Sequence, residues 1–312
     1  MNRKIESAAV SSGAIILSLI AGGACGSLDR VVLSAFQSSN VLWPWITGVI
    51  NLVGSFLLGC VTAYMSTLGP DTGVRKLVRL FLNTGLIGGF TTYSTFMLEV
   101  VKRLECGRTF IAFIYLFSCI IAGLVCAMVG FAAGKAMGQR RLHHPSQVKN
   151  SDETKAPHST GLRSLMVMPA VFLILALVVV ARNENCRRGE AVVALIAASL
   201  LGGLGAVARF GVDAWVNARI HLPFPCGTLV VNVTACLAMG FVSGWFGAHA
   251  CTAIPLQYLL ASGLLGGYST FSTASVEGAK LFNDGHPWWA LLYTGVMMLL
   301  SIAALFVGLV IQ

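Results

Sequence analysis

The sequence predicts an all-α polytopic membrane protein: two antiparallel (inverted) four-helix repeats joined by a single connecting transmembrane helix, nine spans in all. Three observations predict it. Of 312 residues, 56% are hydrophobic and 11% charged, with a mean hydropathy of +0.80, whereas a soluble domain carries about 25% charged residues. The run Gly85-Leu86-Ile87-Gly88-Gly89-Phe90-Thr91-Thr92-Tyr93-Ser94-Thr95 returns as Gly263-Leu264-Leu265-Gly266-Gly267-Tyr268-Ser269-Thr270-Phe271-Ser272-Thr273. One extra apolar stretch lies between the copies, so the second copy begins on the opposite side of the bilayer from the first.

Stretches of about 20 apolar residues, the length that crosses a bilayer roughly 30 Å thick, lie near residues 8–28, 42–66, 78–101 and 110–134. They recur near 191–213, 226–247, 256–279 and 288–311, with the extra one at 164–182. The expected domains are a first repeat over 1–138, a polar linker over 139–163, a connecting transmembrane helix over 164–190 and a second repeat over 191–312. The linker is rich in Ser, His, Lys and Pro, a composition too polar to bury a core. The first apolar stretch follows Arg3 and Lys4 and ends in small residues, like a signal segment. Its counterpart, Gly202-Gly203-Leu204-Gly205-Ala206-Val207-Ala208-Arg209, lies deep in the chain, so the first stretch is read as a span. Arg30 aligns with Arg209, Asn51 with Asn232, Gly89 with Gly267 and Glu99 with Glu277, all at nearly one offset, which makes each half a repeat.

The formal charge of +9 does not point to nucleic acid, because the basic residues fall between spans rather than along one face. Most of the 21 Lys and Arg fall on the inner side if the N-terminus is cytoplasmic, with Arg30, Lys102, Arg103, Arg108, Arg182, Arg187 and Arg188 outside. The nine cysteines form no CxxC pair and meet no histidine cluster, which argues against a zinc or redox site. Cys106, Cys186 and Cys251 fall on the outer side, and a disulfide between two of them stays open. Gly22 with Gly26, Gly130 with Gly134 and Gly240 with Gly244 mark small-residue faces for helix packing.

Chemistry is expected in the second and third spans. Thr47 and Asn51, and again Thr228 and Asn232, share a helix face. A carboxamide in hydrocarbon needs a partner; an interhelical bond would serve, but its recurrence beside a helix break favours a functional role. The glycine-rich run breaks a helix and frees carbonyls that can hold a small cation. Its hydroxyls, Ser94, Thr95, Ser272 and Thr273, can donate to an anion, and its aromatic rings present a positive edge. No span centre carries Asp, Glu, Lys or His, which argues against coupled transporters and cation channels. Asp29, Glu99, Asp213 and Glu277 are expected near span ends, in interfacial water. Tyr115 and Tyr293 either hydrogen-bond to the Asn faces or belong to helix packing.

The TxxxN second span, the GGxTTxST third span, which reads GGxSTxST with Ser269 in the second copy, and the Glu that follows, present in both halves, resemble the CrcB/Fluc fluoride channels. The two-repeat form with a connecting helix resembles the eukaryotic fluoride exporter branch, FEX. The resemblance implies passive, selective fluoride conduction, with a structural sodium ion between the repeats held by the backbone carbonyls of Gly88, Thr91, Gly266 and Ser269. It places the pore asparagines at Asn51 and Asn232, and the two pore phenylalanines at Tyr93 and Phe96 in one repeat and at Phe271 and Ala274 in the other. One pathway then pairs Phe271 with Phe96 and the other Tyr93 with Ala274, so a single working pore is expected. The protein is expected to be no enzyme, to lie in the plasma membrane as an intramolecular pseudo-dimer, and to need only fluoride and lipid as partners. Two rivals remain: a small inverted-repeat secondary transporter exporting drugs or cations, and a scaffold whose polar residues serve helix association.

Overall fold

A computed structural model of the chain describes residues 10–37, 43–143, 188–248 and 254–311. The connecting span at 164–182, most of the linker, Cys186 and Cys251 lie outside the described residues. The first repeat comprises α1 (Ser12–Ser34), α2 (Trp45–Ser66), a segmented third element and α6 (Thr109–His143). That third element runs through α3 (Gly73–Arg79), a π-helical stretch (Leu80–Ile87), α4 (Gly88–Phe90) and α5 (Tyr93–Glu105). The second repeat repeats the order: α7 (Arg188–Asn217), α8 (Cys226–Ala248), α9 (Ile254–Tyr258), a π-helical stretch (Leu259–Leu265), α10 (Gly266–Tyr268), α11 (Phe271–Asn283) and α12 (Pro287–Val310).

Six of these helices are long and apolar enough to cross a membrane, and the two segmented elements complete the two repeats. The protein is a multi-pass membrane protein. Helix α6 continues through Gln139–His143, so the first residues assigned to the linker are helical; Gln and Arg are good helix formers and extend the last turns. Phe113, Phe117, Ile121 and Val125 recur once per turn on the exposed face of α6, the arrangement of a helix whose outer solvent is lipid.

Small residues set the helix contacts. Gly22 and Gly26 of α1 lie against the backbone of Phe81, Gly85 and Leu86, Gly130 and Gly134 of α6 against Phe56 and Cys60 of α2, and Gly240 of α8 against Leu305 of α12. Their neighbours are backbone atoms, so a Cβ would not fit, as expected where packing rather than hydrophobicity drives association in lipid. Between the repeats, Ser27 meets Gly202 while Gly23 meets Ala206. Rising numbers on one helix oppose falling numbers on the other, so α1 and α7 run antiparallel. Each second helix also packs on the other repeat's third element, α2 on α11 and α8 on α5.

The third elements break where expected. Thr91 (φ −91°, ψ 152°) and Thr92 (φ −142°, ψ 128°) are extended, as are Ser269 (φ −76°, ψ 160°) and Thr270 (φ −152°, ψ 128°). Helices α5 and α11 restart under hydroxyl caps: Thr92 Oγ1 accepts from the Thr95 N–H at 3.3 Å and Thr270 Oγ1 from the Thr273 N–H at 3.4 Å. A π-helical stretch precedes each break, a feature that often accompanies functional sites.

Candidate functional site

Both asparagines are fully buried and each holds the break of its own repeat. Asn51 Oδ1 accepts from the Thr92 N–H at 3.0 Å, and its Nδ2 donates to the Thr92 carbonyl at 3.1 Å. Asn232 does the same to Thr270, at 3.0 Å for both bonds. The two carboxamides replace the backbone partners that the break removes. Losing one such buried partner costs about 1–3 kcal/mol.

The breaks lie against each other across the repeat interface. Thr91 Oγ1 and Ser272 Oγ are 2.9 Å apart, and so are Ser94 Oγ and Ser269 Oγ. The four hydroxyls read from the sequence as one set of donors therefore divide. Ser94 and Ser272 tie the repeats together, whereas Thr95 and Thr273 bond back to their caps at 3.1 Å and line two separate cavities. Adjacent helical residues point about 100° apart, which is what separates Ser94 from Thr95.

Arg30, expected outside, and Arg209, expected at the inner end of its span, are both held inside the fold: they are 3% and 5% exposed, within α1 and α7. Arg209 Nη1 donates to the Gly88 carbonyl at 2.9 Å and the Ser269 carbonyl at 3.0 Å, and its Nη2 reaches the Thr84 carbonyl. Arg30 Nε donates to the Gly89 carbonyl at 3.1 Å and its Nη2 to the Ser262 carbonyl at 2.7 Å. Each guanidinium thus joins its own break to the other repeat. Helix C-termini attract positive charge, and a guanidinium offers five donors to carbonyls left free there. The Gly88 and Ser269 oxygens, one from each break, converge on a single cationic nitrogen.

Glu99 and Glu277 likewise depart from the interfacial-water expectation. Glu99 accepts from the Thr47 hydroxyl at 2.7 Å and the Tyr115 hydroxyl at 2.8 Å. Glu277 accepts from Thr228 at 3.0 Å and Tyr293 at 2.7 Å. The two tyrosines therefore serve the carboxylates rather than the Asn faces. Among the described residues no group of three or more His, Cys, Asp or Glu is placed to hold a metal ion; carbonyl oxygens are the available ligands.

Two lanes follow. Beside α2, the rings of Phe96 and Phe271 meet edge-on, with centroids 5.4 Å apart at 85°, and Phe96 meets Tyr115 at 5.2 Å and 66°. On another side of the Phe271 ring, Tyr93, Ala274, Tyr293 and Met297, with Ile120 and Leu124 of α6, line a cavity of about 40 Å³. Two larger cavities, each about 260 Å³, lie at the two Glu–Tyr pairs: one is lined by Arg30, Thr47, Thr95 and Glu99, the other by Arg209, Thr228, Thr273 and Glu277. Helix α2 lines both of these, through Thr47 and Ile50 at one and Leu58 and Thr62 at the other.

A family profile described as "CrcB-like protein, Camphor Resistance (CrcB)" matches residues 17–131 and again residues 196–309, one match to each repeat. The chain belongs to the CrcB family. Its similarity to curated proteins is of one-repeat length. A protein named fluoride-specific ion channel FluC 2 from Leifsonia xyli is 37% identical over 129 residues, covering 41% of this chain and 89% of that protein. One named fluoride-specific ion channel FluC 1 from Cutibacterium acnes is 42% identical over 121 residues, covering 38% of this chain and 85% of that protein. A third, named fluoride-specific ion channel FluC, from Hyphomonas neptunium, is 41% identical over 112 residues, covering 36% and 88%. No solved structure matches the chain. The two CrcB repeats carry the paired breaks, asparagines and Glu–Tyr pairs described above.

Proposed function

We propose that this CrcB protein is a passive, fluoride-selective channel of the plasma membrane, and not an enzyme. The observation that carries the reading is the relatives' shared name, fluoride-specific ion channel, over 85–89% of the length of three of them. The site chemistry agrees with it. A small, strongly hydrated anion needs replacement donors without a fixed charge that would trap it; the α2 lane offers an amide N–H, hydroxyls and the positive edges of two rings. The inside-negative membrane potential then drives fluoride out of the cytoplasm without an energy source. The conducting route is the lane holding Asn51, Phe96, Phe271 and Tyr115. The lane holding Asn232, Tyr93, Ala274 and Tyr293 lacks the second ring and is silent.

A structural sodium ion between the repeats belongs to the same proposal. Carbonyl oxygens suit a hard cation, and Gly88 and Ser269 already converge on the positive Arg209 Nη1. With Thr91 and Gly266 they would hold the ion once that nitrogen gave way, and its charge would pin the two breaks together. A higher melting temperature in sodium than in N-methylglucamine supports this, and equal melting in the two removes it.

Because Glu99 and Glu277 are partly buried, the lack of a membrane carboxylate no longer argues against a coupled exporter. Flux without a driving gradient decides instead. Liposomes carrying the protein, with equal pH and sodium on both sides and valinomycin to balance charge, are expected to lose fluoride rapidly and keep chloride. Retention of fluoride by a folded sample would remove the channel reading.

A further inference from the structure

The fourth helices of the two repeats present matching rungs one turn apart: Tyr115, Cys119 and Gly123 on α6, and Tyr293, Met297 and Ser301 on α12. The first rung is the same in both. The second differs in a way that reaches the asparagines. A carboxamide nitrogen has two N–H groups. Asn232 uses one on the Thr270 carbonyl and turns the other to Met297 Sδ, at 3.3 Å. Asn51 uses one on the Thr92 carbonyl, and the residue at the matching rung is Cys119.

The third rung carries a second, independent sign. Ser301 is fully buried and its hydroxyl lies beside the Cys236 thiol, a weak hydrogen-bond partner, so a buried hydroxyl is left short of a strong partner. At the matching place Gly123 leaves room for the Phe271 ring, which a Cβ would strike. Between the polar rungs Tyr293 and Ser301 stands the thioether of Met297, an acceptor that has no proton to offer an anion. The 40 Å³ cavity at Ala274 lies against it. It is open where the other lane holds the Phe96 ring.

We propose that Met297 is the plug of the lane along α8: its sulfur takes the amide N–H that an anion would use and cuts Tyr293 off from Ser301. This rests on the single-lane reading and names the residue, together with Ala274, that decides which lane conducts. Met297 is the residue that decides between the lanes, and the Ser301 hydroxyl, with only the Cys236 thiol beside it, is the part of the interrupted lane that persists.

The test uses the full chain in liposomes. Phe96→Ile, which removes a ring from the α2 lane, is expected to reduce fluoride loss to the protein-free rate. Adding Met297→Cys and Ala274→Phe, the residues of the matching positions, is expected to restore fluoride loss to about tenfold above Phe96→Ile alone, a change of about 1.4 kcal/mol in barrier, with chloride still retained. Phe96→Ile combined with Met297→Cys alone provides a second variant should the triple one fail to fold, with a smaller gain in the same direction. If Phe96→Ile still conducts at the wild-type rate, the single-lane reading fails and takes this one with it. If Phe96→Ile is silent and the folded combined variants stay silent, the plug alone is overturned.

Discussion

Asn51 and Asn232 hold their breaks through the same pair of backbone bonds, within 0.1 Å of one another in length, and Glu99 and Glu277 collect the same Thr and Tyr donors. Around them the repeats part. Phe96 corresponds to Ala274, Cys119 to Met297 and Gly123 to Ser301. The difference teaches which groups build the architecture and which build a route through it. Backbone breaks, their asparagines and the small residues at helix contacts occur twice because both halves must fold. Rings and rungs that face the lanes have no such duty and differ.

The comparison breaks most visibly in conduction. Phe96→Ile is expected to lower fluoride efflux by about 100-fold, a loss of about 2.7 kcal/mol of transition-state stabilisation, while Tyr93→Ile leaves more than about a third of it. The reverse order would mean that the lanes have been assigned the wrong way round. Asn51→Ala and Asn232→Ala are expected to lower stability equally, each by about 3 kcal/mol for the two backbone groups left unpaired, as read by denaturant unfolding. Only Asn51→Ala should also abolish efflux per folded molecule. Gly130→Ala and Gly308→Ala place a Cβ against backbone in equivalent contacts, Phe56 and Cys60 for the one and Leu237 and Phe241 for the other, and each is expected to cost about 1–3 kcal/mol by thermal melting. A large inequality between them would show that the packing is less symmetric than the fold. The smallest effect belongs to Tyr115→Phe and Tyr293→Phe, each about 1.5 kcal/mol for one hydroxyl to a carboxylate, with efflux altered by Tyr115→Phe alone.

The six long helices were legible because length and apolarity report a bilayer directly. The breaks were legible because glycine followed by hydroxyl residues cannot continue an apolar helix unremarked. The π-helical stretches were not: Leu80–Ile87 and Leu259–Leu265 read as ordinary apolar helix, and the wider turn arises from what packs against it. Arg30 and Arg209 were aligned with each other yet assigned to opposite span ends, outer and inner, since their partners are carbonyls created by a break far away in sequence. Glu99 and Glu277 were assigned to water for the same reason, as their Thr and Tyr donors come from two other helices. The division of Ser94 from Thr95 follows from helical phase once the first helical residue is known. The side-chain sulfur on Asn232 had no counterpart in any spacing rule, because Met297 looks like packing until its neighbour is seen.

The antiparallel packing of α1 on α7 within one polypeptide has a consequence for inheritance. In an assembly of two identical one-repeat chains, any substitution appears in both lanes at once, so a methionine in one is a methionine in the other and selection sees a closed protein. When both halves are written into one coding sequence, each position becomes two independent characters. A change such as Ala274 or Met297 can then be kept because its twin remains untouched, and under the single-lane proposal the second lane is free to drift toward pure support of the first.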